Sequence, residues 1–565
     1  MAPLSRQIFP GIAALVLAAA VSAPSAAAVI TIINNDGTDE GFNDPGAAAP
    51  VGGNPGTTIG AQRLYVFQHA ANIWGALLPS NVEIRVGAQF NPLTCNATSG
   101  VLGSAGPVTY SRNFAGAPLT GHWYHIALAS KLFGSDLSVG SDDISIQFNV
   151  DVGLPTCLTS GWYYGVDGSE GSQIELLPVV LHEMGHGLGF STPTSKTTGA
   201  YFMSSPGIYD HFLYDNDTDL HWDQMSAALR VASEVTCSRL AWDGQAVRNR
   251  APQVLGPKPV LRIYTPASIA GDYTVGLPTF GPPISSPHVN ADIVLGSDGD
   301  AYPRNACEPL INPGLMIGHI VLVDRGTCAF PVKVKNCQNA GAAAVIVVDS
   351  IPGCPPPGMG GVDPSITIPS VRISQEDGAK IKTAMAGAIV NAAILMDPSQ
   401  LAGADAAGRV LVYTPSTIAS GSTVSHWDVT AEPNLLMEPS ITSTISSDVD
   451  LARWLFWDIG WFPELVAVDP APRAPGRLEG NNPNPFGPST TIRFSLERDS
   501  DVALAVYDLS GRLVSELQRG PLPAGAHAIS WDGRDRHGRD AAPGIYVYTL
   551  NSAGIRESRH MVLVR

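Results

Sequence analysis

The chain has 565 residues, enough for about three or four domains. Hydrophobic residues make up 44% and charged residues 15%, a composition typical of globular proteins and not of disordered ones. The formal net charge of −17 argues against a nucleic acid as partner, because the phosphate backbone attracts basic surfaces. A charge of this size favours solubility instead.

Residues 1–28 have the pattern of a secretory signal peptide. Arg6 provides the positive start, residues 12–21 the apolar stretch, and residues 26–28 the small side chains of a cleavage site. No later apolar run reaches the ~18 residues that a membrane-spanning helix needs. We therefore expect an exported chain without a membrane span, either secreted or retained at the cell surface.

The seven cysteines all follow this segment, in a compartment where disulfides form. An odd number leaves at least one cysteine unpaired within the chain. Cys95 and Cys157 lie in the first third of the chain, and Cys237 is the residue that we expect to be left over. Four later cysteines are predicted to make two bridges: Cys307, Cys328, Cys337 and Cys354.

Predicted strands and helices alternate over the first 180 residues. Residues 29–33 and 82–86 are predicted strands, and residues 62–78 place apolar side chains at helical spacing. Residues 143–150 show the strongest strand alternation. A mixed α/β domain is expected here.

The most informative pattern is His-Glu-x-x-His at residues 182–186. On a helix, residues four apart lie on one face, so His182 and His186 can present two imidazole nitrogens to one metal ion. Glu183 points to the neighbouring side, where its carboxylate can deprotonate a water bound to that metal. The pattern is typical of zinc-dependent peptide hydrolysis.

The surroundings of the pattern favour this interpretation over a chance match. Residues 174–180 are mostly apolar, so the histidines and the glutamate are predicted to be buried. Burying such groups without partners costs several kcal/mol, and a metal ion with its water is the simplest partner. Gly187 and Gly189 are predicted to end the helix.

Two histidines do not complete a catalytic zinc site, which needs three protein ligands. The compact metzincin pattern has its third histidine six residues after the second, where this chain has Thr192. The candidates for the missing ligand are one distant residue, His426, and three nearer ones: Asp210, His211 and Glu234.

The motifs resemble those of the leishmanolysin-like metzincins. In that family His-Glu-x-x-His-x-x-Gly-Phe is separated by an insertion from Ser-His-Trp and a later methionine. The matching residues are His182, Glu183, His186, Gly189, Phe190, His426 and Met437. The resemblance implies one catalytic Zn²⁺ bound by His182, His186 and His426, with Glu183 as general base. It also implies a sheet whose edge strand pairs with the substrate, for which residues 143–150 are the candidate.

His426 follows His186 by 240 positions, which is too far for a loop and predicts an inserted domain at residues 259–412. Within it, residues 318–324 and 343–349 read as buried strands around a helix at residues 330–340. This unit resembles a protease-associated (PA) domain. The resemblance implies a non-catalytic role in substrate access or positioning, and a plain spacer is the alternative.

The catalytic domain is therefore predicted in two parts, residues 29–258 and 413–463, followed by a linker at 464–480. Residues 481–565 contain short alternating runs between turn signals, which predict a small β-sandwich. They resemble the Ig-like C-terminal domains that serve as type IX secretion signals, which implies a possible contact with secretion machinery.

Together these features predict a multidomain α+β protein: a metzincin-like α/β catalytic domain, interrupted by a PA domain and followed by an Ig-like β-sandwich. The predicted function is that of a secreted zinc endopeptidase acting on proteins or peptides. The alternative is a non-catalytic secreted surface or adhesion protein on a peptidase-like fold. A glutamate at position 183 favours catalysis, because it has little structural reason to stand among apolar neighbours.

Overall fold

The computed structural model divides into two compact units, residues 1–462 and 463–565. In the first unit it describes residues 26–284, 289–440 and 448–462. In the second it describes 477–482, 486–487, 489–496, 500–508, 512–523, 525–542, 544–552 and 555–563. The predicted signal peptide up to residue 25 and most of the predicted linker lie outside the described residues.

A four-stranded sheet organises the start of the first unit. Its order is Ile30–Asn34, Ile84–Asn91, Ile144–Asn149 and Gly103–Pro107; the first three strands are parallel and the last is antiparallel. The prediction of residues 143–150 as the edge strand is therefore wrong. The buried side chains of that strand, which include Ile144 and Phe148, need neighbours on both sides, whereas the small residues of Gly103–Pro107 can stand at the edge.

Two long helices pack against each other beside this sheet. Helix Ile59–Leu77 begins at Thr58, whose side chain accepts a hydrogen bond from the backbone N–H of Ala61 at 3.2 Å. The indole N–H of Trp74 donates to the carbonyl oxygen of Leu181 at 3.1 Å. This bond joins the first helix to the second one, Leu176–Leu188, which carries the His-Glu-x-x-His pattern.

The remaining elements of this part are short. The helices are Ile126–Phe133, Ile208–Phe212, Ala227–Ser233, Gln245–Val254 and Ala452–Asp458. The strands are Tyr110–Ser111, Tyr124–His125, Trp162–Tyr163, Ile174–Glu175, Leu213–Asp215, Leu220–His221, Leu240–Trp242 and Val410–Leu411. Trp242 pairs with Val410. Two segments that are far apart in sequence, one ending before residue 257 and one beginning after residue 401, therefore meet in this part of the fold.

The chain between Trp242 and Val410 contains a seven-stranded sheet. Its order is Gly271–Thr274, Pro257–Thr265, Asn391–Leu401, Val289–Leu295, Ile320–Asp324, Ala344–Val348 and Ser370–Ile373. Helices Phe330–Asn339 and Gln375–Met385 accompany it. Pro257 pairs with Leu401, so the chain enters and leaves this segment at neighbouring positions.

The disulfides differ from the predicted set. The bridges are Cys95–Cys157, Cys237–Cys354 and Cys307–Cys328. Cys237 is therefore not the leftover residue; that residue is Cys337, which is buried and free. Cys337 lies on the inner side of helix Phe330–Asn339 and packs in the core, whereas Cys354 lies in a loop that reaches Cys237. The prediction of two bridges among the four later cysteines was wrong.

The second unit consists of two antiparallel sheets. One contains Arg477–Asn482, Thr490–Leu496 and Gly525–Trp531. The other contains Leu513–Leu522, Ser500–Asp508, Gly544–Ser552 and Ile555–Leu563. Phe494, Trp531 and Tyr548 are buried in its core. Across both units, no helix among the described residues is long and apolar enough to span a membrane.

Candidate metal centre

The helix Leu176–Leu188 is buried along its whole length. It ends at Gly189, whose φ of 140° suits glycine. Gly187 does not end the helix, contrary to the prediction, but lies within it. A Cβ atom at Gly187 would stand 2.2 Å from Cγ2 of Ile144, so this glycine lets the helix pack closely on the central sheet.

Three histidine side chains meet at this helix. The Nε2 atoms of His182 and His186 are 3.1 Å apart, and Nε2 of His426 is 3.1 Å from that of His182. The three side chains are buried, and their ligand atoms all lie within 4.8 Å of one another. The structure thus brings the distant histidine to the two that share a helix face.

Backbone carbonyl groups orient the three imidazole rings. Each Nδ1 lies against one carbonyl oxygen: His182 on Leu436 at 2.7 Å, His186 on Phe190 at 2.8 Å and His426 on Ser422 at 2.8 Å. A carbonyl oxygen only accepts, so each Nδ1 carries the proton and each Nε2 has a free lone pair. Burial lowers the pKa of His182 to about 4 and that of His186 to about 3, which keeps both neutral.

This arrangement fits a metal ion. Three neutral Nε2 atoms with lone pairs cannot hydrogen-bond to one another, yet they face one another at short range. Tetrahedral zinc with Zn–N bonds of ~2.0–2.1 Å places its ligand nitrogens about 3.3 Å apart. The observed separations of 3.1 Å are close to that value. Neutral imidazoles held through Nδ1 are the form in which histidine binds zinc.

Glu183 adds a buried carboxyl group beside the histidines. Its Oε2 atom has no hydrogen-bond partner among the described residues, and burial raises its pKa to about 8. A Cβ atom at Gly103 would lie 3.1 Å from Cγ and 3.3 Å from Oε1 of Glu183. The carboxyl group therefore stands against the edge strand of the central sheet.

Met437 lies beneath the helix. A Cβ atom at Gly185 would stand 2.7 Å from Sδ of Met437, so the methionine occupies the space that this glycine leaves free. The carbonyl of Met437 accepts a hydrogen bond from the backbone N–H of Trp427 at 2.8 Å. The turn that holds the methionine thereby also positions the segment that carries His426.

The nearer ligand candidates lie outside the three-histidine cluster. The carboxylate of Asp210 accepts hydrogen bonds from the hydroxyls of Thr192 and Thr194. Nδ1 of His211 lies 2.6 Å from Oδ2 of Asp223. Thr192, which stands where compact metzincins have their third histidine, thus holds a structural carboxylate. No local sequence signal marked this pairing, because the two residues are 18 positions apart.

Two segments of the chain match known domain families. Residues 289–381 match the PA domain, and residues 481–554 match the FlgD Ig-like domain. The chain contains a PA domain. The residues that match the PA domain belong to the segment that contains the seven-stranded sheet. The residues that match the Ig-like domain make up most of the second unit.

Relatives share only part of the chain. Vacuolar-sorting receptor 2 of Arabidopsis thaliana is 34% identical over 137 residues, 22% of this chain and 22% of that protein. Probable leucine aminopeptidase 2 of Arthroderma benhamiae is 33% identical over 113 residues, 20% of this chain and 21% of that protein. The chain thus spans about a fifth of the length of these relatives.

Solved structures are similar over limited regions as well. A zinc aminopeptidase from Bacillus subtilis is 20% identical, with a TM-score of 0.20 over 26% of this chain and 31% of that one. Dimeric latent PorU from Porphyromonas gingivalis is 27% identical, with a TM-score of 0.14 over 16% of this chain and 10% of that one. Similarity at this level carries no conclusion about activity.

Proposed function

We propose that this protein is a secreted zinc-dependent endopeptidase. The observation that carries the proposal is the convergence of three Nε2 lone pairs, from His182, His186 and His426, beside the unpartnered carboxyl group of Glu183. A zinc ion bound there supplies a Lewis acid for the scissile carbonyl and lowers the pKa of water. PA-domain relatives that include leucine aminopeptidases are in keeping with peptide substrates.

Glu183 performs the proton transfers in this proposal. Its free Oε2 accepts a proton from the attacking water and passes it to the leaving amine. The histidines, locked in orientation by their backbone acceptors, contribute no proton.

The edge strand Gly103–Pro107 is proposed to bind the substrate. An extended peptide can add to a sheet edge through main-chain hydrogen bonds, which hold the backbone on both sides of the scissile bond. Since the strand lies against Glu183, a peptide paired with it passes the general base. Recognition of the backbone along its length supports internal cleavage more than removal of a terminal residue.

The domain organisation is proposed as well. Residues 29–258 and 413–463 form one metzincin-like catalytic domain of the leishmanolysin type, and residues 259–412 are inserted in it. The Trp242–Val410 and Pro257–Leu401 pairs support this division. The PA domain is proposed to control substrate access. The C-terminal sandwich is proposed to contact secretion machinery, and the three disulfides are in keeping with an extracellular location.

Replacing the proposed base tests the mechanism. Glu183→Gln removes the proton acceptor and no metal ligand, so casein hydrolysis should fall about 10²–10⁴-fold while zinc content equals that of the wild type. Glu175→Gln, the same change at the cap position of the same helix, is the matched control and should retain activity. Substantial hydrolysis by Glu183→Gln would contradict the assignment.

Blocked peptides separate internal from terminal cleavage. A peptide that is acetylated at its N-terminus and amidated at its C-terminus should be cleaved internally, and the products can be identified by mass spectrometry. Hydrolysis of unblocked peptides only, one residue at a time from the N-terminus, would replace the endopeptidase proposal with an aminopeptidase.

A further inference from the structure

A second group of metal-ligating side chains lies apart from the three-histidine cluster. It consists of His122, His211 and Asp223, whose ligand atoms are all within 4.8 Å of one another. Nε2 of His122 is 3.3 Å from Oδ2 of Asp223, and Nδ1 of His211 is 2.6 Å from the same oxygen. The side chains of His122 and Asp223 are 15% and 12% exposed, so the group is sheltered but open to solvent on the His211 side, at 35%.

The polar atoms of this group are incompletely matched. Nδ1 of His122 lies 3.1 Å from the carbonyl oxygen of Thr120, so it carries the proton of a neutral ring, and the lone pair of Nε2 then faces a carboxylate oxygen. The other carboxylate oxygen, Oδ1 of Asp223, is buried and has no hydrogen-bond partner among the described residues. A cation between the two rings and the carboxylate would give a partner both to the lone pair of His122 Nε2 and to Oδ1 of Asp223.

The carbonyl-bound Nδ1 of His122 repeats the arrangement of the three clustered histidines. In both places a backbone oxygen holds the proton on Nδ1 and directs Nε2 toward other ligand atoms.

We propose that His122, His211 and Asp223 form a second metal site, which binds a divalent transition-metal ion such as Zn²⁺. Two imidazoles and one carboxylate are a ligand set that zinc accepts, with further positions open to water. On binding, the proton between Nδ1 of His211 and Oδ2 of Asp223 moves to Nε2 of the same ring, so that Nδ1 presents its lone pair and the imidazole stays neutral.

An ion at this site would join two segments of the catalytic part. His122 precedes helix Ile126–Phe133, and the other two ligands come from residues 208–224. The same two segments already meet where the backbone N–H of Ile208 donates to the carbonyl of Trp123 at 2.8 Å. The second metal would therefore stabilise the fold by holding these two segments together.

Zinc content of the purified full-length protein tests the proposal. After dialysis against zinc, the wild type should hold two ions per chain, and His211→Asn and Asp223→Asn should each hold one. The matched control is His221→Asn: this ring stacks on His211 at 5.8 Å, but its Nε2 pairs with Asp243. The control should keep both ions.

A variant without the first site provides an independent readout. His426→Ala should bind one zinc ion and show a higher unfolding temperature when zinc is added, whereas His211→Asn/His426→Ala should bind none and show no shift. Unchanged zinc content in both His211→Asn and Asp223→Asn would overturn the second site. Failure of the first site gives a different result: His426→Ala would then keep the zinc content of the wild type while His211→Asn still lost one ion.

Discussion

The protonation state of each clustered histidine is set by its backbone neighbour. His182, His186 and His426 all have Nδ1 on a carbonyl oxygen, and these oxygens belong to three different segments of the chain. An imidazole whose Nδ1–H is bound in this way is fixed in tautomer and in ring orientation. The ligand geometry is therefore built into the fold before any ion binds.

Loss of the third histidine should disable the centre. His426→Ala leaves two nitrogen ligands, so we expect loss of the zinc at this centre and of all measurable peptide hydrolysis. His319→Ala is the control, because Nδ1 of His319 also lies on a carbonyl oxygen, that of Ile317, but this half-buried residue belongs to the PA domain and not to the three-histidine cluster. Metal analysis and a casein assay check both variants; an active His426→Ala would contradict the ligand assignment.

Glu234 makes the stability of the fold depend on pH. Its side chain is buried and neither carboxylate oxygen has a hydrogen-bond partner among the described residues. Burial raises its pKa to about 8, with Lys196 and Arg230 opposing the shift in part. The folded state therefore holds this proton above the pH at which the unfolded state loses it. Stability falls as pH rises from about 4.5 toward about 8.

Replacing this carboxyl group should remove that dependence. Glu234→Gln should unfold like the wild type at about pH 5, and at about pH 9 it should be more stable by about 1 kcal/mol or more. Denaturant unfolding at the two pH values measures the difference. Exposed Glu308→Gln should show no such change. An equal effect of Glu234→Gln at both pH values would show that the buried charge is not its cause.

At the scale of elements, glycines permit the contacts that form the centre. Gly187 allows helix Leu176–Leu188 to approach Ile144 of the sheet, and Gly185 leaves room for Met437 below the helix. Side chains of any size at these positions would separate the layers. Such close packing places the three histidines and Glu183 close to the edge strand Gly103–Pro107.

The edge strand contains a matched pair of glycines that tests this packing. A Cβ atom at Gly103 would press on Glu183, with 3.1 Å to Cγ, whereas a Cβ atom at Gly106 would meet nothing within 4 Å. Gly103→Ala should lower kcat/KM about 10- to 100-fold by displacing the carboxyl group, with zinc content unchanged. Gly106→Ala should have a kcat/KM close to that of the wild type. Equal kinetics for the two variants would place Glu183 outside the reaction.

For the molecule as a whole, disulfides connect segments that are far apart in sequence. Cys237–Cys354 links the PA domain to the chain before it, with a sequence separation of 117, and Cys95–Cys157 has a separation of 62. Cross-links that close long loops restrict the unfolded chain most strongly. Both bridges therefore stabilise the folded state relative to the unfolded chain, and Cys237–Cys354, which closes the longer loop, is expected to contribute more.

Counting thiols checks this arrangement. Cys337 is buried and its pKa is raised to about 12 by burial, so the native protein should not react with a thiol reagent. One thiol should react after unfolding without reductant, and all seven after unfolding with reductant. Peptide mapping should identify the single early label as Cys337. A label at Cys237 instead would support the pairing expected from sequence spacing.

Local sequence determined the parts of this protein that depend on nearest neighbours along the chain. Helical periodicity placed His182 and His186 on one face and Glu183 beside them, since that geometry depends only on the turn of the helix. The strands and helix of the PA domain followed from apolar runs and a turn. In the same way, alternation predicted the C-terminal sandwich.

Tertiary structure decided everything that depends on which distant segments meet. The position of His426 beside the other two histidines came from a resemblance, not from spacing, because it follows His186 by 240 positions. The edge strand, the role of Gly187 and the pairing of Cys237 were predicted incorrectly. Each depends on strand order, interlayer distance or loop contacts, and alternation and spacing along a chain do not encode these long-range contacts.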